Sequence, residues 1–286
     1  EFDEVRHYQT GDDIRAIDWR VTARTGKTHT KLFREELERP VLIATDLSAS
    51  MHFGTQLLFK SIQAAHLASL VAWHAKNRGD RLGGIVFNQF EHIELKPRSR
   101  KEGVLHYLHA LTTSHQQQHQ NDSQHRQPHD NNYFSSNCAR IRQIAKPGSL
   151  VYLITDAQVI KSANNQEQQD ALRHLTQIGQ HCELVVCLIS DPLEQSLPSS
   201  KVKLNVTMID VTMIDVTMID NANDNPTRQQ LTLGDKATAE HYHQQALNIS
   251  EQCTNLLTKA GARVINFSAG ETLEQQLKDG AQFCNQ

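Results

Sequence analysis

Apolar and polar positions fall along the chain in blocks that read in turn as strands and helices. Val41-Leu42-Ile43-Ala44-Thr45-Asp46 is a short apolar run ending in a carboxylate, the form of a buried parallel strand. Residues 53–77 are helix-forming and apolar around most of the circumference, which predicts a well-buried helix. Residues 82–87 and 91–95 predict two strands, joined as a hairpin by the short Asn88-Gln89 link. A helix over 101–111, another over 136–145 and a strand over 150–155 follow, the last preceded by a Pro147-Gly148 break. Residues 166–178 and 184–189 add a further helix and strand. Ala239, Tyr242, Ala246, Ile249, Cys253, Leu256 and Ala260 step by three or four residues and so share one face of a helix. Gly261 stops that helix, 263–267 reads as a strand, and 271–283 as a closing helix.

Strands alternating with helices imply an α/β fold, a doubly wound and mostly parallel sheet of Rossmann-like type covered on both faces. Two regions depart from the alternation. Residues 1–39 form a charged extension with eight basic against nine acidic residues, leaving 40–286 as the α/β domain. Within that domain, 191–234 reads as a β-hairpin excursion carrying Val-Thr-Met-Ile-Asp three times from Val206 to Asp220. A five-residue unit is odd, so in a strand successive copies face opposite ways, and the repeat reads as a tandem expansion in a tolerant hairpin. Residues 114–132, rich in His and Gln and without aliphatic side chains, read as a low-complexity surface loop.

Composition narrows the function. Lys and Arg number 29 against 32 Asp and Glu, a net charge of −3, so the basic excess of a nucleic-acid binder is missing. Hydrophobic residues at 38% suffice for a folded core. Five cysteines without a CxxC pair read as thiols in a reducing compartment, and the expected localisation is cytoplasmic. No apolar stretch approaches the roughly 20 residues needed to span a bilayer. The chain opens on Glu-Phe-Asp-Glu-Val-Arg, without an initiator Met, and reads as a fragment.

The sharpest chemical signal is Asp46-Leu47-Ser48-Ala49-Ser50, at the carboxyl end of the first apolar strand. Doubly wound sheets bind ligands beyond the carboxyl ends of strands where the winding reverses. Three oxygen side chains on one tight turn suit a hard cation such as Mg2+. Asp156, at the end of the strand finishing at Thr155, supplies a second carboxylate. The other reading makes Asp46 and the serines an N-cap for the helix beginning near Phe53.

Asp46-x-Ser48-x-Ser50 with Ile154-Thr155-Asp156 resembles the metal-ion-dependent adhesion site of von Willebrand factor type A domains. The N-terminal residues Tyr8-x-x-Gly11-Asp12-Asp13-Ile14-Arg15-x-Ile17-Asp18-Trp19, with Thr22-Ala23-Arg24, Thr30-Lys31 and Phe33-Arg34-Glu35-Glu36, resemble the bacterial family DUF58, which couples such a motif to a von Willebrand A-like domain. The resemblance implies a Mg2+ site at Asp46, Ser48, Ser50 and Asp156. Such sites also take a Thr from an intervening loop; no matching motif occurs, and Ser135 or Ser136, just before a helix, is the substitute considered. It further implies an adaptor or partner of a MoxR-type AAA+ ATPase in protein remodelling or maturation, and the oxygen-ligand turn without any nucleophile makes a non-enzymatic, metal-assisted protein-interaction module the leading reading. A Mg2+-dependent hydrolase using the same turn, and a scaffold with a decayed metal site, stand as alternatives.

The Gly11-Asp12-Asp13-x-Arg15-x-x-Asp18-Trp19 cluster has two readings. It is either a docking surface in which Arg15, Arg20 and Arg24 present carboxylate-matching forks, or a short helix opened by Asp13, with Asp18 paired to Arg15 and Trp19 packed on the domain. Gly26-Lys27-Thr28 lacks the upstream Gly of a phosphate-binding loop, and no Gly-x-Ser-x-Gly elbow exists. No pairing of a catalytic base with a nucleophile emerges.

Overall fold

The computed structural model describes residues 2–33, 39–123, 132–162, 166–197, 203–210, 213–215, 228–232 and 236–283. The chain divides into two compact units, Glu1–Glu38 and Arg39–Gln286.

In the first unit, β1 (Phe2–His7) pairs antiparallel with β2 (His29–Phe33), His7 opposite His29. The excursion between them is organised by aspartates. Asp13 caps a 3-10 turn over Ile14–Ala16, accepting the Arg15 N–H. Asp18 caps α1 (Trp19–Thr25), accepting the N–H groups of Arg20 and Val21. Gly26, at φ +70°, ends α1 in the left-handed conformation that favours glycine. The expected Asp18–Arg15 pair and packed Trp19 are both corrected. Asp18 lies 3.9 Å from Lys31, and Trp19 is 65% exposed. Asp18 accepts N–H groups at the start of α1 while its other oxygen turns toward β2.

The second unit is built on six strands: β3 (Pro40–Asp46), β4 (Arg81–Phe87), β5 (His92–Arg98), β6 (Leu150–Thr155), β7 (Glu183–Ser190) and, near its end, Ala262–Ser268. Three further strands lie between the last two: β8 (Lys203–Asp210), β9 (Met213–Asp215) and β10 (Arg228–Thr232), so Ala262–Ser268 is β11. The main sheet runs β11-β7-β6-β3-β4-β5, parallel throughout except for the antiparallel β4–β5 hairpin at one edge. From β3 the chain moves outward to β4 and β5, then returns to lay β6 on the other side of β3. The winding therefore reverses between β3 and β6. This is the doubly wound, mostly parallel α/β architecture that the alternation implies.

Helices cover both faces. They are α2 (Lys60–Asn77), α3 (Arg100–Ser123), α4 (Tyr133–Ile144), α5 (Gln158–Lys161), α6 (Gln166–His181), α7 (Pro192–Gln195), α8 (Lys236–Lys259) and α9 (Leu273–Phe283). Odd residues of β3, Val41 and Ile43, join the core beneath α2 and α3; Leu42 and Ala44 join the core beneath α4, α6 and α8. Gly84 of β4 is required by this packing, since a Cβ there would meet the Tyr107 ring at 2.5 Å and the Ile43 carbonyl oxygen at 2.6 Å. Tyr107 of α3 then reaches Thr45, the residue before Asp46, hydroxyl to hydroxyl at 2.6 Å.

Three local expectations change. The helix expected from 53 begins at Lys60, and Ser48 instead opens a 3-10 turn over Ala49–Met51. Alanines dominate the buried face of α2, while Leu70 and Trp73 face outward, so the helix is covered on one side only. The segment expected as a loop from 114 is helical to Ser123, with Ser114 buried and the His115 ring stacked on His52 at 5.2 Å. Gln and His are adequate helix formers, so a helix already nucleated in its apolar part propagates through them. Residues 124–131 lie outside the described residues. Within 191–234 a short helix, α7, comes first, and β10-β8-β9 then form a separate antiparallel sheet. The first repeat copy lies in β8 and the second ends in β9, with Thr207 opposite Asp215; the third lies outside the described residues.

Candidate functional site

The winding reverses at the carboxyl ends of β3 and β6, the place where doubly wound sheets bind ligands, and both buried aspartates stand there. Asp46 ends β3 and Asp156 follows β6. One Asp46 oxygen, Oδ1, accepts the Ser48 N–H at 2.9 Å and Oδ2 accepts the Thr155 hydroxyl at 2.8 Å. The Ser48 and Ser50 hydroxyls lie 3.3 Å apart. Asp156 Oδ1 accepts the Gln158 N–H at 3.1 Å. Between Asp156 and Gln158, Ala157 holds a left-handed conformation at φ +53°, a strained choice for a residue with a Cβ.

The structure thus brings Asp46, Ser48, Ser50 and Asp156 together. Ser135 lies in the first turn of α4, where its hydroxyl donates to the Asn132 carbonyl oxygen at 3.1 Å. From that turn it is the neighbouring Tyr133 that hydrogen-bonds Ser48.

Three further residues complete the arrangement, and sequence reasoning assigned none of them a role. Thr155 links the two strands by its bond to Asp46 while accepting the Ala157 N–H at 3.0 Å. Lys60, the first residue of α2, is buried, its Nζ 2.8 Å from Asp156 Oδ2 and 2.6 Å from Glu194 Oε1. Glu194 belongs to a capping box at α7, its Oε2 accepting the Asp191 N–H at 3.0 Å. Asp191 in turn accepts the Thr55 N–H at 2.8 Å and the Thr55 hydroxyl. A signal for Lys60 and for Glu194 was present. Lys60 is the only Lys or Arg between Pro40 and Ala75, and Asp191-Pro192-Leu193-Glu194 has the spacing of a capping box with Pro at the first helical position.

The two carboxylates are driven apart in their titration. Burial, then the neighbouring Asp156 charge, pushes Asp46 up to about 7, although hydrogen bonds from Ser48 and Thr155 act the other way. Burial acts on Asp156 too, but there the charge of Lys60, with that of Lys161 and hydrogen bonds from Lys60 and Ser50, outweighs it and lowers its pKa. Lys60 is held protonated, since its two acidic partners overcome the burial that would discharge it. One ammonium therefore serves two carboxylates, Asp156 and Glu194, and among the described residues Asp46 forms no ion pair.

A hard divalent cation fits this donor set. Asp46 offers a buried oxygen anion in need of a positive charge, and the serines offer hydroxyls on the same turn. Cis positions around octahedral Mg2+ lie roughly 3 Å apart for bonds of about 2.1 Å, close to the separation of the two hydroxyls. Among the described residues no group of three or more His, Cys, Asp or Glu could hold a metal, so the serines are essential to any such site.

Among the described residues no helix is long and apolar enough to cross a membrane. Comparison with known proteins gives relatives without an assigned activity. The uncharacterized protein Mb1516 of Mycobacterium bovis is 32% identical over 110 residues, which cover 38% of this chain and 35% of that protein. The match thus spans about a third of the length of that curated relative. Among solved structures, the conserved hypothetical protein BatB from Bacteroides thetaiotaomicron is 12% identical, covering 86% of this chain and 98% of its own at a TM-score of 0.49. A von Willebrand factor type A protein from Catenulispora acidiphila is 13% identical, covering 57% of this chain and 35% of its own at a TM-score of 0.36. The family model described as "Protein of unknown function DUF58" matches residues 4–242, and the chain belongs to that family.

Proposed function

We propose that the chain is a non-enzymatic protein-interaction module whose Asp46-Ser48-Ser50 turn, backed by Asp156, binds Mg2+ and presents it to a partner protein. The reading is carried by one observation: two buried aspartates share the switch point of the sheet, and among the described residues the only ammonium paired with either of them, that of Lys60, is bound to Asp156 and Glu194. When bound, the cation would supply an open coordination position for a carboxylate of the partner. The chain's own residues hold that position in place. Thr155 and the Ser48 N–H orient Asp46, Tyr107 fixes Thr45 just before it, and Tyr133 braces Ser48. The partner class we favour is a MoxR-type AAA+ ATPase, which the family resemblance implies. The hydrolase alternative uses Asp156 as a base or as a second metal ligand, and the first of these roles is poorly served by a carboxylate held ionised against an ammonium.

The test is binding of a purified MoxR-type ATPase from the same genome to the immobilised chain, in Mg2+ and in EDTA, with Asp46→Ala alongside. Binding in Mg2+ that is lost in EDTA and in the variant is the expected result. Binding unmoved by either change would remove the cation from the reading, and absence of binding would remove this partner.

A further inference from the structure

Lys60 occupies a place that helix energetics do not favour. It is the first residue of α2, where the positive end of the helix dipole repels a cation, and it is 1% exposed. Burying an ammonium is costly unless its partners are close and well oriented. Here they are, at 2.8 and 2.6 Å, and one is firmly framed: Glu194 is tied to Asp191, which is tied to Thr55. The position of Lys60 is therefore explained by the carboxylates and not by the helix.

We infer that Lys60 is a built-in cation which, by binding Asp156, sets how weakly the Asp46-Ser48-Ser50 turn holds a divalent ion. The inference rests on the Mg2+ reading of that turn. Two positive charges are drawn to the same pair of aspartates, one tethered and one from solution. The tethered ammonium neutralises the second carboxylate and repels the incoming dication, leaving an exchangeable site. Its separation from the general charge of the region is testable, because Lys161 also acts on Asp156 electrostatically.

Calorimetric titration of MgCl2 into the EDTA-stripped chain, with thermal melts in parallel, compares wild type with Lys60→Met, Lys60→Gln, Glu194→Gln and Lys161→Gln. Gln retains a donor toward Asp156 and serves if the Met variant does not fold. Loss of the Lys60 charge is expected to lower the Kd for Mg2+ at least tenfold and to enlarge the Mg2+-induced rise in melting temperature. Glu194→Gln, which leaves the ammonium to Asp156 alone, is expected to raise the Kd severalfold, and Lys161→Gln to change it less than threefold. Wild-type binding with equal or weaker binding by the Lys60 variants, or equal effects at Lys60 and Lys161, would overturn the role of Lys60 while leaving the Mg2+ site. If neither Lys60 variant folds, an unchanged or lower Kd in Glu194→Gln overturns it. No Mg2+ binding by wild type or any variant would overturn both the site and the inference.

Discussion

Asp12 and Asp18 of the first unit and Asp46 of the second use their carboxylates in opposite ways. In the first, Asp12 accepts the Gln9 N–H at 2.9 Å and pairs with Arg6 at 2.6 Å, while Asp18 caps α1. Backbone N–H bonds first, then nearby cations, lower the pKa of both. In the second unit Asp46 is buried beside a like charge, and its pKa moves up. A half-buried aspartate with N–H donors stabilises its local turn. A buried aspartate beside another is a charge in need of a partner. The contrast shows that environment, and not residue type, separates a structural carboxylate from one available for binding.

The largest break in this contrast is expected at Lys60. Lys60→Ala leaves Asp156 buried without its ammonium and should cost about 3–5 kcal/mol in urea unfolding. A loss below about 1 kcal/mol would mean that the pair is not as buried as the structure places it. Asp46 comes next. Without metal, the folded protein binds a proton at Asp46 between the unfolded value of about 3.9 and the folded value of about 7, so stability falls as pH rises through that window. Asp46→Asn should be as stable as wild type near pH 4 and more stable above pH 7, by a few kcal/mol at about 1.4 kcal/mol per pK unit. Parallel stability–pH curves for the two proteins would refute this.

Saturating Mg2+ should reduce the difference between the units by supplying the missing charge. Wild type is expected to gain about 2.7 kcal/mol at a hundredfold excess over the Kd, and Asp46→Ala nothing. A wild-type melting temperature indifferent to Mg2+ contradicts this. The smallest effect belongs to the first unit. Asp18→Ala should lower stability slightly at neutral pH, the difference vanishing as acid protonates Asp18 in wild type. Its folded pKa is depressed, so its contribution is present above the unfolded value and lost as pH falls through the folded one. A penalty that persists in acid would assign Asp18 a role other than accepting those N–H bonds.

Much of this was legible beforehand. The β3 and β6 strands, their terminal carboxylates and the β4–β5 hairpin follow from runs of apolar residues bounded by polar ones. The start of α2 was not, because residues 53–59 are as apolar as a helix needs yet form an irregular segment before Lys60. The helical course of 114–123 was hidden by composition, since the absence of aliphatic residues says nothing against a helix extending from an anchored turn.

The sequence by itself determined the order of the main-sheet strands, the doubly wound class and the oxygen-rich turn at Asp46, because these depend on periodicity and on residues adjacent in the chain. Only the tertiary structure decided which charges meet. Lys60, Asp156 and Glu194 are far apart in sequence and come together because the chain returns to place β6 beside β3 and then turns through α7. The energy of a buried charge depends on its distance to other charges and to solvent, and neither distance is written in the local pattern.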